Sequence, residues 1–201
     1  MELTSLRKLS YYVALTLDGR IAGPAGEYDF FPFGDAEQAA AYTSGTNSLY
    51  PDTVPTAMRE AHGLTGVPNK RYDTVLMGLG TYRPALDAGI ASPYAHLRQY
   101  VVSSTLDPAT HPDVTVVPGE PLALVRELKQ EETGLDIWLC GGGKLAGQLL
   151  AEIDELVIKS YPVVAGAGIP AFEGAFDPTV FAAAERTAFT NGVTLTRYVR
   201  G

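Results

Sequence analysis

The sequence predicts an α/β fold built on a largely parallel sheet, and three observations carry that expectation. Short apolar runs rich in β-branched and aromatic residues alternate with segments of helical periodicity. Three of those runs end in small or hydroxyl residues: Gly78-Leu79-Gly80-Thr81, Ser103-Ser104-Thr105 and Gly141-Gly142-Gly143. In open α/β sheets ligands lie outside the carboxyl ends of strands, so these exits predict one shared cleft.

Residues 9–17 (LSYYVALTL) read as a buried first strand, and Asp18-Gly19 signals a turn after it. Residues 26–34 (GEYDFFPFG) gather aromatics around one carboxylate, Asp29, and Asp35 stands at the N-cap of a helix through Ala36, Ala39 and Ala40. Phe30, Phe31 and Phe33 beside two acids suit a flat heteroaromatic ligand. Aspartate is also a favoured helix cap, and aromatics on a loop often roof a core, so structure explains Asp35 about as well as function does. Residues 42–69 are broken by Gly, Ser and Pro, with one expected helix over 55–62 stopped by Gly63.

A second strand is expected over 72–77 and a helix over 81–88, then strands over 99–103 and 114–117 and a helix over 121–132. Residues 136–150 (DIWLCGGGKLAGQLL) run from an apolar strand through three glycines into a helix with Leu145, Leu149 and Leu150 on one side. Backbone N–H groups at such a turn form a rim that attracts phosphate, and glycine there lets a ligand approach closely. Gly141, Gly143 and Gly147 make only a weak dinucleotide fingerprint, because that motif opens the first βαβ unit and this one lies late in the chain. A further strand over 155–164 precedes the loop AGAGIPAF, and two alternating segments, 182–190 and 193–199, meet at the hairpin signal Asn191-Gly192.

With 201 residues, 46% of them hydrophobic, the chain is long enough for one domain with a full core. A formal net charge of -8 argues against nucleic acid and anionic membranes as partners, leaving small molecules or protein. The single cysteine, Cys140, ends an apolar run and is expected to be packed rather than catalytic. No apolar run approaches ~18 residues and no leader pattern is evident, so a cytoplasmic protein is expected. No metal site is expected.

Four stretches, taken in order, resemble the dihydrofolate reductase superfamily, and most of all the reductase domain of bifunctional riboflavin biosynthesis proteins and its stand-alone relatives. They are VALTLDGRIA from Val13, VLMGLGTY from Val75, GGGKL from Gly141 and residues 162–172. The resemblance implies a three-layer fold whose central sheet of about eight strands ends in an antiparallel hairpin, and an NADPH-dependent reductase acting on a small heterocycle. It implies that backbone around Ala14, Ile21 and Ala22 holds the nicotinamide carboxamide, and that Gly78, Leu79, Gly80, Thr81, Gly141, Gly142, Gly143, Lys144 and Leu145 flank the pyrophosphate. Ser103 and Ser104 would lie near the adenosine ribose, and the Gly141-Gly142 bond would be cis. Folate enzymes carry an arginine where this chain has Leu79, and Arg83 is the existing candidate for the ribose phosphate. The resemblance leaves Asp35 and Asp29 as competing substrate carboxylates. A riboflavin-pathway substrate would also need a cation for its phosphate, for which Arg59, Lys70 and Arg71 are the candidates. A homodimer is expected from the habits of these domains and the alternating C-terminal strands.

Overall fold

The computed structural model describes residues 6–132 and 134–201. Its centre is an eight-stranded sheet in the order β5-β4-β3-β6-β1-β7-β10-β9. β1 (Leu9–Leu15), β3 (Tyr72–Gly78), β4 (Arg98–Val102), β5 (Thr115–Val117), β6 (Asp136–Gly141) and β7 (Ile153–Ser160) run parallel to their neighbours in that set. β9 (Phe181–Ala188) and β10 (Thr194–Arg200) close one side antiparallel, with Thr194 opposite Ser160 on β7. The dihydrofolate reductase-like α/β arrangement expected above is therefore present. A separate two-stranded sheet pairs β2 (Arg20–Ala22) with β8 (Ile169–Pro170).

Alternation along the strands sorts side chains to two faces. Leu9, Tyr11 and Val13 of β1, Leu76 of β3, and Ile137 and Leu139 of β6 pack on α3 (Pro121–Lys129) and α4 (Gly143–Gln148) through Val125, Leu128 and Leu145. Tyr12, Val75, Met77, Trp138 and Val157 face the other way. There they meet Tyr50, just past α1 (Ala36–Leu49), and Tyr82 of α2 (Leu79–Asp87). Each fully buried large side chain contributes roughly 1.5–3 kcal/mol, so these two layers hold the sheet and fix where its strand ends fall.

Several expectations for the poorly readable segment are corrected. α1 continues to Leu49, and the helix expected over 55–62 is only one 3₁₀ turn, Thr56–Met58. Arg59 explains that stop: its buried guanidinium donates to the carbonyls of Pro51, Leu64 and Val67, tying the segment into a knot. β9 is an edge strand whose residues 182–188 are all exposed.

Candidate active site

The strands end side by side where helices begin. β3 runs directly into α2, and Gly78 is an N-cap with no side-chain hydrogen bond. β6 ends at Gly141 and α4 begins after Gly142, across a cis Gly141-Gly142 peptide bond. Gly141 has φ +133, open to glycine and strained for other residues.

Close approaches show which candidate residues gather here. A Cβ on Gly142 would find Thr81 Oγ1 at 3.6 Å and Ile21 Cδ1 at 3.8 Å, and one on Gly141 would find Thr81 Oγ1 at 3.4 Å. A Cβ on Gly78 would lie 3.7 Å from both the Gly141 carbonyl oxygen and the Gly142 nitrogen, and 4.0 Å from Leu145 Cβ. Ile21, Gly78, Thr81, Gly141, Gly142 and Leu145 thus form one constellation at the strand ends. With β4 and β1 on either side of β3 and β6, the strand ends span about 14 Å at ~4.8 Å per strand. That is a row along which an extended ligand could lie.

Gly143 has a different role. A Cβ there would meet the Pro170 carbonyl oxygen at 2.1 Å, and one on Gly147 would meet the Glu173 carbonyl oxygen at 2.0 Å. These two glycines let α4 press against residues 170–173. That loop is strapped over the exit of β1: Leu17 N–H donates to the Val163 carbonyl, Ala171 N–H to Gly19 and Glu173 N–H to Gly143. Asp18 completes the strap by accepting from Thr16 Oγ1 and from the Ala165 and Gly166 N–H groups. Those three donors hold its carboxyl at a pKa of about 2, the hydroxyl contributing most. Ala22 lies within the strap, in register with Ile169.

The remaining candidates are less engaged with this row. Ser103 is buried, and its Oγ accepts from the Thr105 and Leu106 N–H groups, which closes the turn after β4. Ser104, Lys144 and Gly80 are exposed. Leu79 sends its side chain into the aromatic layer, so only its backbone remains for a cofactor. Arg83 is exposed and makes no ion pair among the described residues.

Asp35 caps α1: its carboxylate accepts from Gln38 N–H at 2.9 Å and Gln38 Oε1 in turn accepts from Asp35 N–H. Both Asp35 and Asp29 are exposed. The capping geometry satisfies the reason for an aspartate at 35 without a substrate.

Beside Ala14 stands an aromatic wall that sequence reasoning placed only in part. Phe31, Tyr42, Tyr161 and Val193 are buried together, with Ala14 and Phe30 packed against them. The Tyr42 and Tyr161 hydroxyls share a 2.6 Å hydrogen bond, and burial raises both phenols above their ordinary pKa. Lys159 was missed. It pairs in register with Ala14 on β1 and with Leu195 on β10, and its Nζ lies 4.3 Å from the Tyr12 ring centroid. A cation over an aromatic face gains roughly 0.5–2 kcal/mol. Burial holds the lysine below its ordinary pKa, and pushes the neighbouring Cys140 thiol up to about 12, so the cysteine stays protonated. A signal existed in the sequence: Val157, Lys159 and Tyr161 share one strand phase, and a lysine in a buried phase is out of place.

The phosphate candidates lie elsewhere. Lys70 and Arg71 line a concavity of about 510 Å³ with Arg7 and Asp136, at the opposite, N-terminal ends of β3 and β6. Its cations are engaged: Arg7 with Asp73 and Glu131, Lys70 with the Ser48 carbonyl, Arg71 with the Leu49 carbonyl and the Tyr50 ring. The strand-end row is the better candidate, because small residues and side chains whose pKa burial shifts converge there. Among the described residues no group of acids, histidines or cysteines could hold a metal ion, and no helix is long and apolar enough to cross a membrane.

Known proteins share this fold. The uncharacterized protein YwjB of Bacillus subtilis (strain 168) is 32% identical over 168 residues, 83% of each chain. A structure from Shewanella sp. PV-4, provisionally named a riboflavin biosynthesis protein, aligns with a TM-score of 0.66 at 23% identity, covering 96% of this chain and 99% of its own. The Thermotoga maritima diaminohydroxyphosphoribosylaminopyrimidine deaminase/5-amino-6-(5-phosphoribosylamino)uracil reductase aligns at 0.62 and 16% identity, covering 98% of this chain and 57% of the bifunctional one. A pyrimidine reductase-like protein of Corynebacterium diphtheriae aligns at 0.56 and 14% identity over 97% of this chain and 92% of its own. The profile of the RibD C-terminal domain matches residues 7–195, and this chain belongs to that family.

Proposed function

We propose that this protein is a reductase of the riboflavin-pathway type that uses NADPH to reduce a small pyrimidine- or pterin-like heterocycle. The observation that carries the reading is the cradle at Gly142: a space that a side chain would enter, walled by Thr81 in the first turn of α2 and by Ile21 of β2. Family membership supports the reductase class.

When bound, the cofactor would supply the hydride. Gly78, Thr81, Gly141 and Gly142 would hold the pyrophosphate through backbone N–H groups and the Thr81 hydroxyl, and Ser103 would border the adenosine ribose. Backbone at Ala14 and Ile21 would orient the nicotinamide carboxamide. Phe30, Phe31 and Tyr161 would form an apolar wall that excludes water from the substrate side. A phosphorylated substrate would need a cation other than Arg59, Lys70 or Arg71, since all three are engaged in holding the fold.

The test is oxidation of NADPH, followed by its absorbance, against a panel of aminopyrimidines with and without a ribosyl phosphate, and of dihydropterins. Turnover of one member supports the reading. Tight NADPH binding with no turnover across the panel would instead favour a nucleotide-binding relative without catalysis.

A further inference from the structure

We propose that Lys159 is the proton donor of this reduction: its ammonium stands beside the reacting end of the nicotinamide and protonates the substrate heteroatom next to the carbon that accepts hydride. The inference rests on the reductase reading above and adds to it a proton source.

Lys159 and Ala14 are register partners on neighbouring parallel strands, which lie about 4.8 Å apart. Tyr12 and Val157, two residues earlier on each strand, are buried in the same cluster, so Ala14 and Lys159 point to that face as well. The lysine is half-buried, and its Nζ leans 4.3 Å from the Tyr12 ring centroid. Among the described residues it makes no ion pair. The groups that act on its charge are Tyr161, which follows β7, and Cys140 on β6, with Tyr12 on β1 beneath it and apolar Leu195 opposite on β10. All three ionisable neighbours are neutral at physiological pH, because burial raises both phenols and the thiol. In its charged form Lys159 is a cation with no ion-pair partner among the described residues, in a protein of formal net charge -8. Burial also holds it below the usual lysine range, which moves it towards the window where a general acid works best.

A bound dihydronicotinamide would supply hydride, with its electron pair, to the carbon of a C=N or C=O group, and the π pair would move to the heteroatom. Lys159 gives one N–H proton to that atom. The substrate is reduced by two electrons, the cofactor is oxidised, and the neutral amine takes a proton from water.

The test needs no substrate. NADP⁺ carries a positive nicotinamide ring and NADPH a neutral one, so an ammonium nearby should weaken the oxidised form selectively. For like charges a few ångströms apart in a partly solvated site, Coulomb's law gives an effect on the order of tenfold. Dissociation constants for both forms would be measured in wild type, Lys159→Met and Lys159→Arg. We expect the preference for NADPH over NADP⁺ to fall about tenfold in Lys159→Met and to persist in Lys159→Arg, which keeps the charge. In parallel, NMR titration of isotopically methylated lysines in cofactor-free protein should show Lys159 titrating below the other lysines. An unchanged preference in Lys159→Met, or a Lys159 that titrates with the rest, overturns the proposal while leaving cofactor binding intact. If wild type binds neither form, the reductase reading fails and the proposal with it.

Discussion

Gly143 lies so close to Pro170 that a Cβ would come within 2.1 Å of the Pro170 carbonyl oxygen, whereas one on the preceding Gly142 would meet nothing nearer than 3.6 Å. Two adjacent glycines therefore do different work. Gly143→Ala should cost about 1–3 kcal/mol through overpacking against backbone that cannot rotate away. Gly142→Ala should leave stability nearly unchanged, since the residue sits in extended backbone with φ −98. Thermal denaturation of the two variants checks the contrast.

Asp35 should behave as a cap. Asp35→Asn keeps a capping side chain and should change stability by a few tenths of a kcal/mol, while Asp35→Ala should cost about 1 kcal/mol. If the role ends there, both variants retain full turnover once a substrate is identified, and lost turnover in folded Asp35→Asn would restore the carboxylate to the site. Asp29→Asn, assayed beside them, tests the other exposed acid.

Asp18 gives the strap its pH dependence. Its folded pKa of about 2 lies below the ordinary value of 3.8, so its contribution is complete above about pH 4 and is lost as pH falls towards 2. Asp18→Asn should therefore lower the melting temperature at neutral pH, and the gap from wild type should close as the pH approaches 2. Hydrogen exchange at Ala165 and Gly166 N–H should speed up in the variant, since both donate to that carboxylate.

Cofactor choice should rest on Arg83. Leu79→Arg would place a cation in the aromatic layer against which Leu79 packs, so it should destabilise the fold rather than sharpen selectivity. Arg83 is exposed, and a contact to the ribose phosphate from there is worth about 1 kcal/mol after solvent screening. Arg83→Ala should thus reduce kcat/KM with NADPH relative to NADH by about fivefold. A wild-type preference of several orders of magnitude, unmoved by the variant, would place the phosphate site elsewhere.

Much of the fold was legible because the strands obey simple alternation: Tyr11 and Tyr12 already announce two buried faces in β1. The glycine-marked exits were legible for a similar reason, since a strand that ends in glycine before a helix has few other uses. What escaped was set by tertiary contact. α1 runs through Gly45 because the Phe189 ring packs there so closely that a Cβ would come to 2.6 Å from it, a contact between segments far apart in sequence. β2 and β8 are too short to show any period. Arg59 was a candidate for a substrate phosphate, yet it is buried and bound to three carbonyls, and Lys159 carried no separate signal beyond its phase in an apolar strand.

The central claim is that NADPH lies across the strand ends over Gly142. Calorimetric titration of NADPH into wild type and into Gly142→Val, with circular dichroism confirming that the variant is folded, tests it most directly. The account predicts saturable binding of one NADPH per wild-type chain and a loss of at least a hundredfold in affinity in the variant, on the order of 3 kcal/mol. No binding to wild type, or equal affinity in the folded variant, would contradict it.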